Sequence, residues 1–481
     1  MMKKHRYINK KSRILSVFLP DRNSTLKIGI ISLLALIMIG CEKFVEVDPP
    51  KNVLIAEEVF QDPNTVASTI ANMYYQMREQ GMVSGLNGLS IVMGIYSDEL
   101  DYYGFSNDYL AMYTHNVNAS NGLVDEWWRN AYQIIYLANN ILEGVNNATE
   151  LSSNDKERFM GQAYFVRAYL HSLLVTMYGD VPYITSTDYL LNNKVARDDE
   201  NEVYEHIIED LKKASELLPV EDESGERVIP NQIVAKALLS RMHLYRGNWE
   251  QAQTMATEVI NTTGYHLQED LDKVFLKNSP ETIWQFKPEG IIQLNTYEAA
   301  QLIIEFIPGQ SYSLHNNLLA AFEQGDLRRV HWVNSISSTA GDITLYFPYK
   351  YKQTINTTNE SLEFSIVFRM AEQHLIRAEA RAHLNNIVGA QNDLNTIRER
   401  AGLPPVNIGS SIGLIEAITR ERRVELFTEH GHRWFDLKRL KKANQVLESL
   451  KPNWRSTDTL FPIPINELEM NPKLQPQNSG Y

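Results

Sequence analysis

Beyond residue 60, apolar positions recur every three or four residues through most of the chain, the spacing that lines them along one face of an α-helix. The pattern predicts helices over 63–79, 123–146, 154–178, 200–217, 231–246, 249–263, 367–384, 387–401, 412–429 and 433–447. The segments 81–122, 265–365 and 450–481 lose the period and are rich in Tyr, Asn, Ser, Thr and Pro. They read as long loops with a few short strands, and Trp284 in ETIWQF reads as a strand residue against the core. No Pro/Gly/Ser linker or low-complexity tract divides residues 41–481, which predicts one domain there.

Several helices come in pairs. In residues 232–260, Ala237, Leu238, Arg241 and Tyr245 line one helix, Gly247 breaks it, and Trp249, Ala252, Ala256 and Val259 line the next. Small residues at Ala252 and Ala256 allow close approach. Residues 371–397 repeat the scheme, with Leu375, Ala378, Ala382 and Leu384 first, then Gly389 and Ala390. Leu238 to Ala252 and Ile376 to Ala390 both span 14 positions. This is a degenerate tetratricopeptide-like pattern, in which stacked pairs bury what one pair cannot. Ordinary antiparallel helices of an all-α domain are the alternative. The expected fold is mainly α, with helix-pair repeats packed against an irregular, loop-rich half.

The N-terminal region follows a different pattern. Residues 1–27 hold eight bases against one acid, Asp21, and an uncharged run of 13 residues extends from Ile28 to Gly40. A basic region, a short apolar run and a small residue at its end make a secretory signal. The run falls short of the roughly 20 residues that span a bilayer. It ends at Cys41, the only cysteine. Cys41 can be a buried small hydrophobe, a reactive thiol or a site of modification, but not half of an intramolecular disulfide. Met38-Ile39-Gly40-Cys41 resembles a bacterial lipobox, in which the thiol is lipidated and becomes the new N-terminus. Residues 1–40 are then a lipoprotein signal peptide. Removing them takes the formal charge from −13 to about −20, which argues against nucleic acid.

Ten ordered blocks after Cys41 carry a family resemblance. They include CEKFVEVDPP (41–50), WWRNAYQIIYLANNILE (127–143), AYFVRAYLHSLLVTMYGDVPYIT (163–185), VYEHIIEDLKKASELLP (203–219) and AKALLSRMHLYRGNWEQA (235–252). FRMAEQHLIRAEA (368–380), NTIRERAGL (395–403), RERRVELFTEHGHRWFDLKR (420–439), LFPIPINELEMNP (460–472) and QNSGY (477–481) complete them. The chain resembles the SusD/RagB family of outer-membrane nutrient-binding lipoproteins of Bacteroidetes. Val45 and Glu46 depart from the family's usual Leu-Asp. The resemblance implies a cell-surface protein, lipid-anchored in the outer membrane. It would bind an oligosaccharide or polysaccharide and pass it to a TonB-dependent, SusC-like transporter. Peptide uptake on the same fold, or a scaffold without a ligand, are the alternatives.

The blocks themselves read mostly as scaffold. Arg167, Arg377 and Arg398 lie on helices among apolar residues near acids such as Glu379 and Glu399, which predicts Arg–carboxylate pairing. Glu429, His430, His432 and Asp436 have the wrong spacing for a helical metal pair and read as an ion-pair network. No nucleophile elbow, P-loop, dinucleotide fingerprint or H-E-x-x-H occurs, so no enzyme, cofactor or metal site is expected.

Saccharides need flat rings against the C–H faces of pyranoses and amides, carboxylates or Arg around the hydroxyls, exposed on loops held by a rigid frame. The loop 96–116 offers Tyr102, Tyr103, Phe105 and Tyr109 with Asp101, Asn107 and Asp108. In the family the corresponding loop contributes to the glycan site, a likeness of region and not of position. Tyr297, Tyr312, His315, Trp332 and Tyr346 are further candidates in the irregular half, while Trp127, Trp128 and Trp249 read as packing. Replacing Cys41 with Ala should release the protein from the outer-membrane fraction with its fold intact. A Cys41→Ala protein that stays there and takes up palmitate label contradicts the lipobox reading.

Overall fold

The computed structural model describes residues 59–288, 295–354 and 360–481. The expected leader and Cys41 lie outside the described residues, which all belong to one compact unit. The chain runs α1 (Pro63–Glu79), α2 (Leu89–Tyr96), β1 (Leu100–Tyr102), α3 (Asn107–Thr114), α4 (Gly122–Asn147) and α5 (Ser153–Tyr178). The short α6 (Tyr189–Asn192) leads to α7 (Glu200–Leu217), α8 (Gln232–Arg246) and α9 (Trp249–Ile260). The irregular half contributes β2 (Thr282–Phe286), α10 (Tyr297–Leu302), β3 (Tyr312–Leu314), α11 (Asn316–Leu319), α12 (Leu327–His331), β4 (Val333–Ser337), β5 (Thr344–Pro348) and β6 (Ser365–Arg369). Finally come α13 (Met370–His383), α14 (Ile387–Arg400), α15 (Ser411–Glu425), α16 (His432–Arg439), α17 (Ala443–Leu447) and α18 (Ile465–Met470). Among the described residues, no helix is long and apolar enough to cross a membrane.

The long helices begin where a side chain can satisfy their free N–H groups. Asn121 accepts the Leu123 N–H at 3.0 Å, Ser152 that of Asp155 at 3.1 Å, and Asn231 that of Val234 at 3.1 Å. Gly247, at φ +72°, closes α8 in the left-handed conformation that glycine adopts without strain. The helices then stack in sequence: α4 on α5, α5 on α7, α7 on α8, α8 on α9, α9 on α13, and α13 on α14 and α15. This is the expected helix-pair array. At the α9–α13 joint, Ala252 and Ala256 pack against Leu244, Ile376 and Ala380, all buried. Trp249 lies flat on His383, 3.7 Å between centroids.

The predicted helices differ from the observed ones in several places, short helices such as α10, α12 and α18 in the expected loops among them. Residues 365–369 are β6, paired antiparallel with β2, so that helix starts at Met370. The helix expected over 412–429 stops at Glu425, and that over 433–447 is two helices, broken where Lys441 takes φ +55°. The helices α2 and α3 fall where a loop was expected. Every residue of α2 is buried, so no polar face marks a period. Trp284 is fully buried in β2, with Phe165 and Phe368 against it.

The arginines pair as expected, with different acids. Arg167 grips Asp210 through 2.6 and 2.8 Å bonds, Arg377 binds Asp393, and Arg398 binds Glu323 and Glu421. Glu379 takes Arg439 instead. Deeper still, Glu425 accepts from Arg328 at 2.9 Å, from Arg369 at 2.6 Å and from Arg400. Glu281 joins Arg369 to Arg400, and Glu429 holds Arg369 and Lys350. Burial alone would push Glu425 up; Arg400, Arg369 and Arg328 hold it well below the usual carboxylate range. His430 bridges the Val83 and Ile366 carbonyls, and Asp436 binds Arg422 and Arg439. Glu429 and Asp436 therefore sit in ion pairs as expected, His430 bonds carbonyls instead, and His432 is buried without an acid partner among the described residues.

One buried histidine makes acid sensitivity measurable. His171 Nδ1 donates to the Arg167 carbonyl at 2.8 Å, and Nε2 accepts the Ile184 N–H at 3.2 Å. A proton on Nε2 would face that N–H, and burial pushes the imidazole down to about 3. The folded value lies below the unfolded one, so the stability is present above about pH 6.5 and is lost as pH falls. Between pH 7 and pH 5 the loss is about 2 kcal/mol. The melting temperature should fall over that interval, and less steeply in His171→Gln; equal slopes contradict the assignment.

Candidate functional site

In the irregular half, β1 and β3 form an antiparallel ribbon that sets Tyr102 opposite Tyr312 and Asp101 opposite Ser313. The Tyr103 N–H extends the pairing to the Ser311 carbonyl at 2.9 Å. Gly104 then lets the chain fold tightly over Tyr102, since a methyl group there would lie 2.4 Å from its hydroxyl. The turn is fixed by the Ser106 N–H, which donates to Tyr102 Oη at 3.0 Å. α3 starts immediately after and brings Tyr109 back onto the ribbon.

The result is a cluster of three tyrosines. Ring centroids are 5.8 Å apart for Tyr102–Tyr109, 5.7 Å for Tyr102–Tyr312 and 6.5 Å for Tyr109–Tyr312. Tyr109 Oη donates to Asn87 Oδ1 at 2.6 Å. Burial, with Glu126 nearby, pushes its phenol up to about 12, and burial raises Tyr312 as well. Both stay protonated in any ordinary buffer. Tyr312 is only 6% exposed and forms the base of the cluster.

Against Tyr312 opens a cleft of about 410 Å³, walled by Gln301, Ile304, Glu305, Phe306 and Gln310. Phe306 stands 62% exposed with its ring over Gly309, where a methyl group would lie 1.9 Å away. Tyr103 is 43% exposed and Phe105 completely so. An exposed ring, side-chain amides and a carboxylate around one concavity can hold a polar ligand that also has flat apolar faces, and the lining supplies these as Phe306, Gln301, Gln310 and Glu305.

The sequence candidates divide accordingly. Tyr102, Tyr109 and Tyr312 come together, while Tyr103 points to the other face of the ribbon with its hydroxyl 3.1 Å from Ser313 Oγ, and Phe105 and Asn107 stand exposed nearby. Asn107 and Tyr109 lie on α3, not on a loop. Tyr346, in β5 beside β3, is covered by Arg329 at 4.7 Å. Tyr297 sits apart at the start of α10, donating to Glu79 at 2.5 Å. His315 caps α11 and stands 3.9 Å from Asp101, whose carboxylate accepts from Tyr113 at 3.0 Å. Trp332 is fully buried, with Nε1 donating to the Leu271 carbonyl and Lys350, Arg369 and Arg400 around its ring. It is a core pillar. Phe306 and Tyr113 were not singled out from the sequence; the Ile-Pro-Gly that follows Phe306 is the one local signal of a turn presenting a ring.

Two other clefts lie elsewhere. One of about 340 Å³ separates α1 from α5, with Tyr74, Phe159 and Phe286 in its walls. A larger one of about 540 Å³ is bounded by Trp128, Tyr132, Tyr136, Tyr189 and Met470.

Comparison with known proteins gives a consistent result. Residues 43–244 match a SusD-like family described as starch-binding and associating with the outer membrane, and residues 315–481 match the SusD family. A SusD-like protein, P2, from Formosa agariphila is 29% identical, over 93% of this chain and 98% of that protein. The crystal structure of a SusD superfamily protein from Bacteroides vulgatus covers 88% of this chain and 100% of its own, at 20% identity and a TM-score of 0.76. A laminarin-binding SusD-like protein covers 87% of this chain and 99% of its own, at 23% identity and a TM-score of 0.71.

Proposed function

The chain belongs to the SusD/RagB family, and from that premise we propose that it captures a nutrient oligosaccharide or polysaccharide in the cleft beside the β1–β3 ribbon. Lipidation at Cys41, after removal of residues 1–40, anchors it at the outer membrane. It passes its ligand to a partner TonB-dependent, SusC-like transporter. The protein is a binder and carries out no chemistry on the sugar. The family description supports outer-membrane association, and the laminarin-binding relative of the same fold supports a glycan ligand.

The observation that carries the reading is the placement of Tyr103, Phe105 and Phe306. Phe306 stands exposed in the wall of a concavity whose other walls carry amides and one carboxylate, and Tyr103 and Phe105 stand exposed on the turn that follows β1, outside that wall. An exposed ring costs solvation unless something covers it, and a pyranose covers it with C–H bonds while its hydroxyls reach Gln301, Gln310 and Asn107. The tyrosine cluster beneath is hydrogen-bonded, so little ordering remains to oppose binding. The 540 Å³ cleft is the alternative site, since Tyr136 and Tyr189 stand exposed there beside Arg129, Asn192, Asn193 and Glu467.

Native affinity gels containing laminarin, starch, xylan or mannan test this. At least one should retard the protein. Tyr103→Ala and Phe306→Ala should each weaken retention roughly fivefold, an energy of about 1 kcal/mol per ring contact, without changing the melting temperature. Retention by peptides alone, or full glycan affinity in the double variant, contradicts the proposal.

A further inference from the structure

The charges around the candidate cleft are unbalanced. Glu305 lines it, is exposed, and has no ion-pair partner among the described residues. Among the described residues, no Lys or Arg is in the lining. On the ribbon side, Asp108 flanks Tyr109 on α3 and Glu126 accepts from Asn87 at 2.8 Å, the same residue that binds Tyr109, while Asp101, on the other face of the ribbon, accepts from Tyr113. Cations on neighbouring elements are already engaged. Lys451 is buried behind Tyr113, 4.2 Å from its ring, and donates to the Ile95 carbonyl. Arg329 lies over Tyr346, and His315 stands 3.9 Å from Asp101.

From this we infer that the cleft accepts uncharged glycans and turns away polyanionic ones, with Glu305 the chief selecting residue. The inference rests on the glycan reading above and adds the ligand's charge class. A uronate or sulfate chain entering the cleft meets like charge well within a Debye length, about 10 Å at 0.1 M salt, with no guanidinium or ammonium group to receive it. A neutral chain meets the same carboxylates as hydrogen-bond acceptors, and Glu305 in particular has free lone pairs for sugar hydroxyls. One side chain thus favours one class and opposes the other.

Sugar shape must be held fixed while charge is varied. The probes are a neutral polysaccharide that retards the wild-type protein and the same polysaccharide carboxymethylated, for example laminarin and carboxymethyl-laminarin. At low ionic strength the charged form should bind at least tenfold more weakly, and added salt should narrow the gap. Glu305→Lys, an exposed change, should raise affinity for the charged form about tenfold relative to the neutral one. Equal affinity of the wild type for both forms, or a gap that neither salt nor Glu305→Lys alters, overturns the charge selection while the glycan reading stands. Failure of every neutral polysaccharide to bind overturns the glycan reading and this inference with it.

Discussion

Glu425 is inaccessible to solvent and takes hydrogen bonds from three arginines, and the two halves of the protein meet through it. Arg400 comes from α14 and Glu425 from the end of α15, both in the helical stack. Arg328 comes from α12 and Arg369 from the end of β6, in the irregular half. Taking so many charges out of water is costly. It is tolerable only when nearly every donor finds an acceptor, and few backbone arrangements satisfy that condition. The network therefore acts as a registration device. Removing one member strands its partners, which typically costs 3–5 kcal/mol, and would loosen the irregular half without unstacking any helix pair.

That registration matters because the irregular half makes few regular hydrogen bonds of its own. Among the described residues its strands form three separate two-stranded ribbons, and isolated ribbons are marginal in water. The β1–β3 ribbon is held by packing and by contacts to its edges. The buried Glu99, next to β1, accepts from the Thr428 N–H, and its carbonyl takes the His315 N–H at 2.8 Å. Burial, with Asp98 alongside, pushes Glu99 up to about 8. Just outside this fixed base, Tyr103, Phe105 and Phe306 are free to meet a ligand. A stable stack, an ionic joint and a thin layer of exposed rings then form one chain of dependence.

Much of the stack was legible in the sequence, because amphipathic helices declare themselves through the 3.6-residue period and through Asn, Asp or Ser caps. The two repeat pairs stack as Ala252, Ala256 and Gly247 implied. α2 was not legible, because LSIVMGIY has no polar face. The split at Lys441 was hidden because an αL lysine leaves no mark on hydrophobic spacing. The site was half legible. The richness of loop 96–116 in aromatic residues pointed to the region where Tyr102 and Tyr109 cluster, and Tyr312 joins them through strand pairing that no local pattern encodes. Trp332 was drawn as a ligand ring from its type alone, whereas the cations packed on its faces come from residues 350, 369 and 400. Phe306 was passed over because a single ring in an aperiodic loop gives no periodic signal.

The central claim is that ligand capture belongs to the irregular half while the helical stack serves as frame. Amide hydrogen exchange with and without a saturating neutral oligosaccharide tests it directly. The account predicts slowed exchange in residues 101–113 and 303–313, with α8, α9, α13 and α14 unchanged. Protection confined to those helices would contradict it.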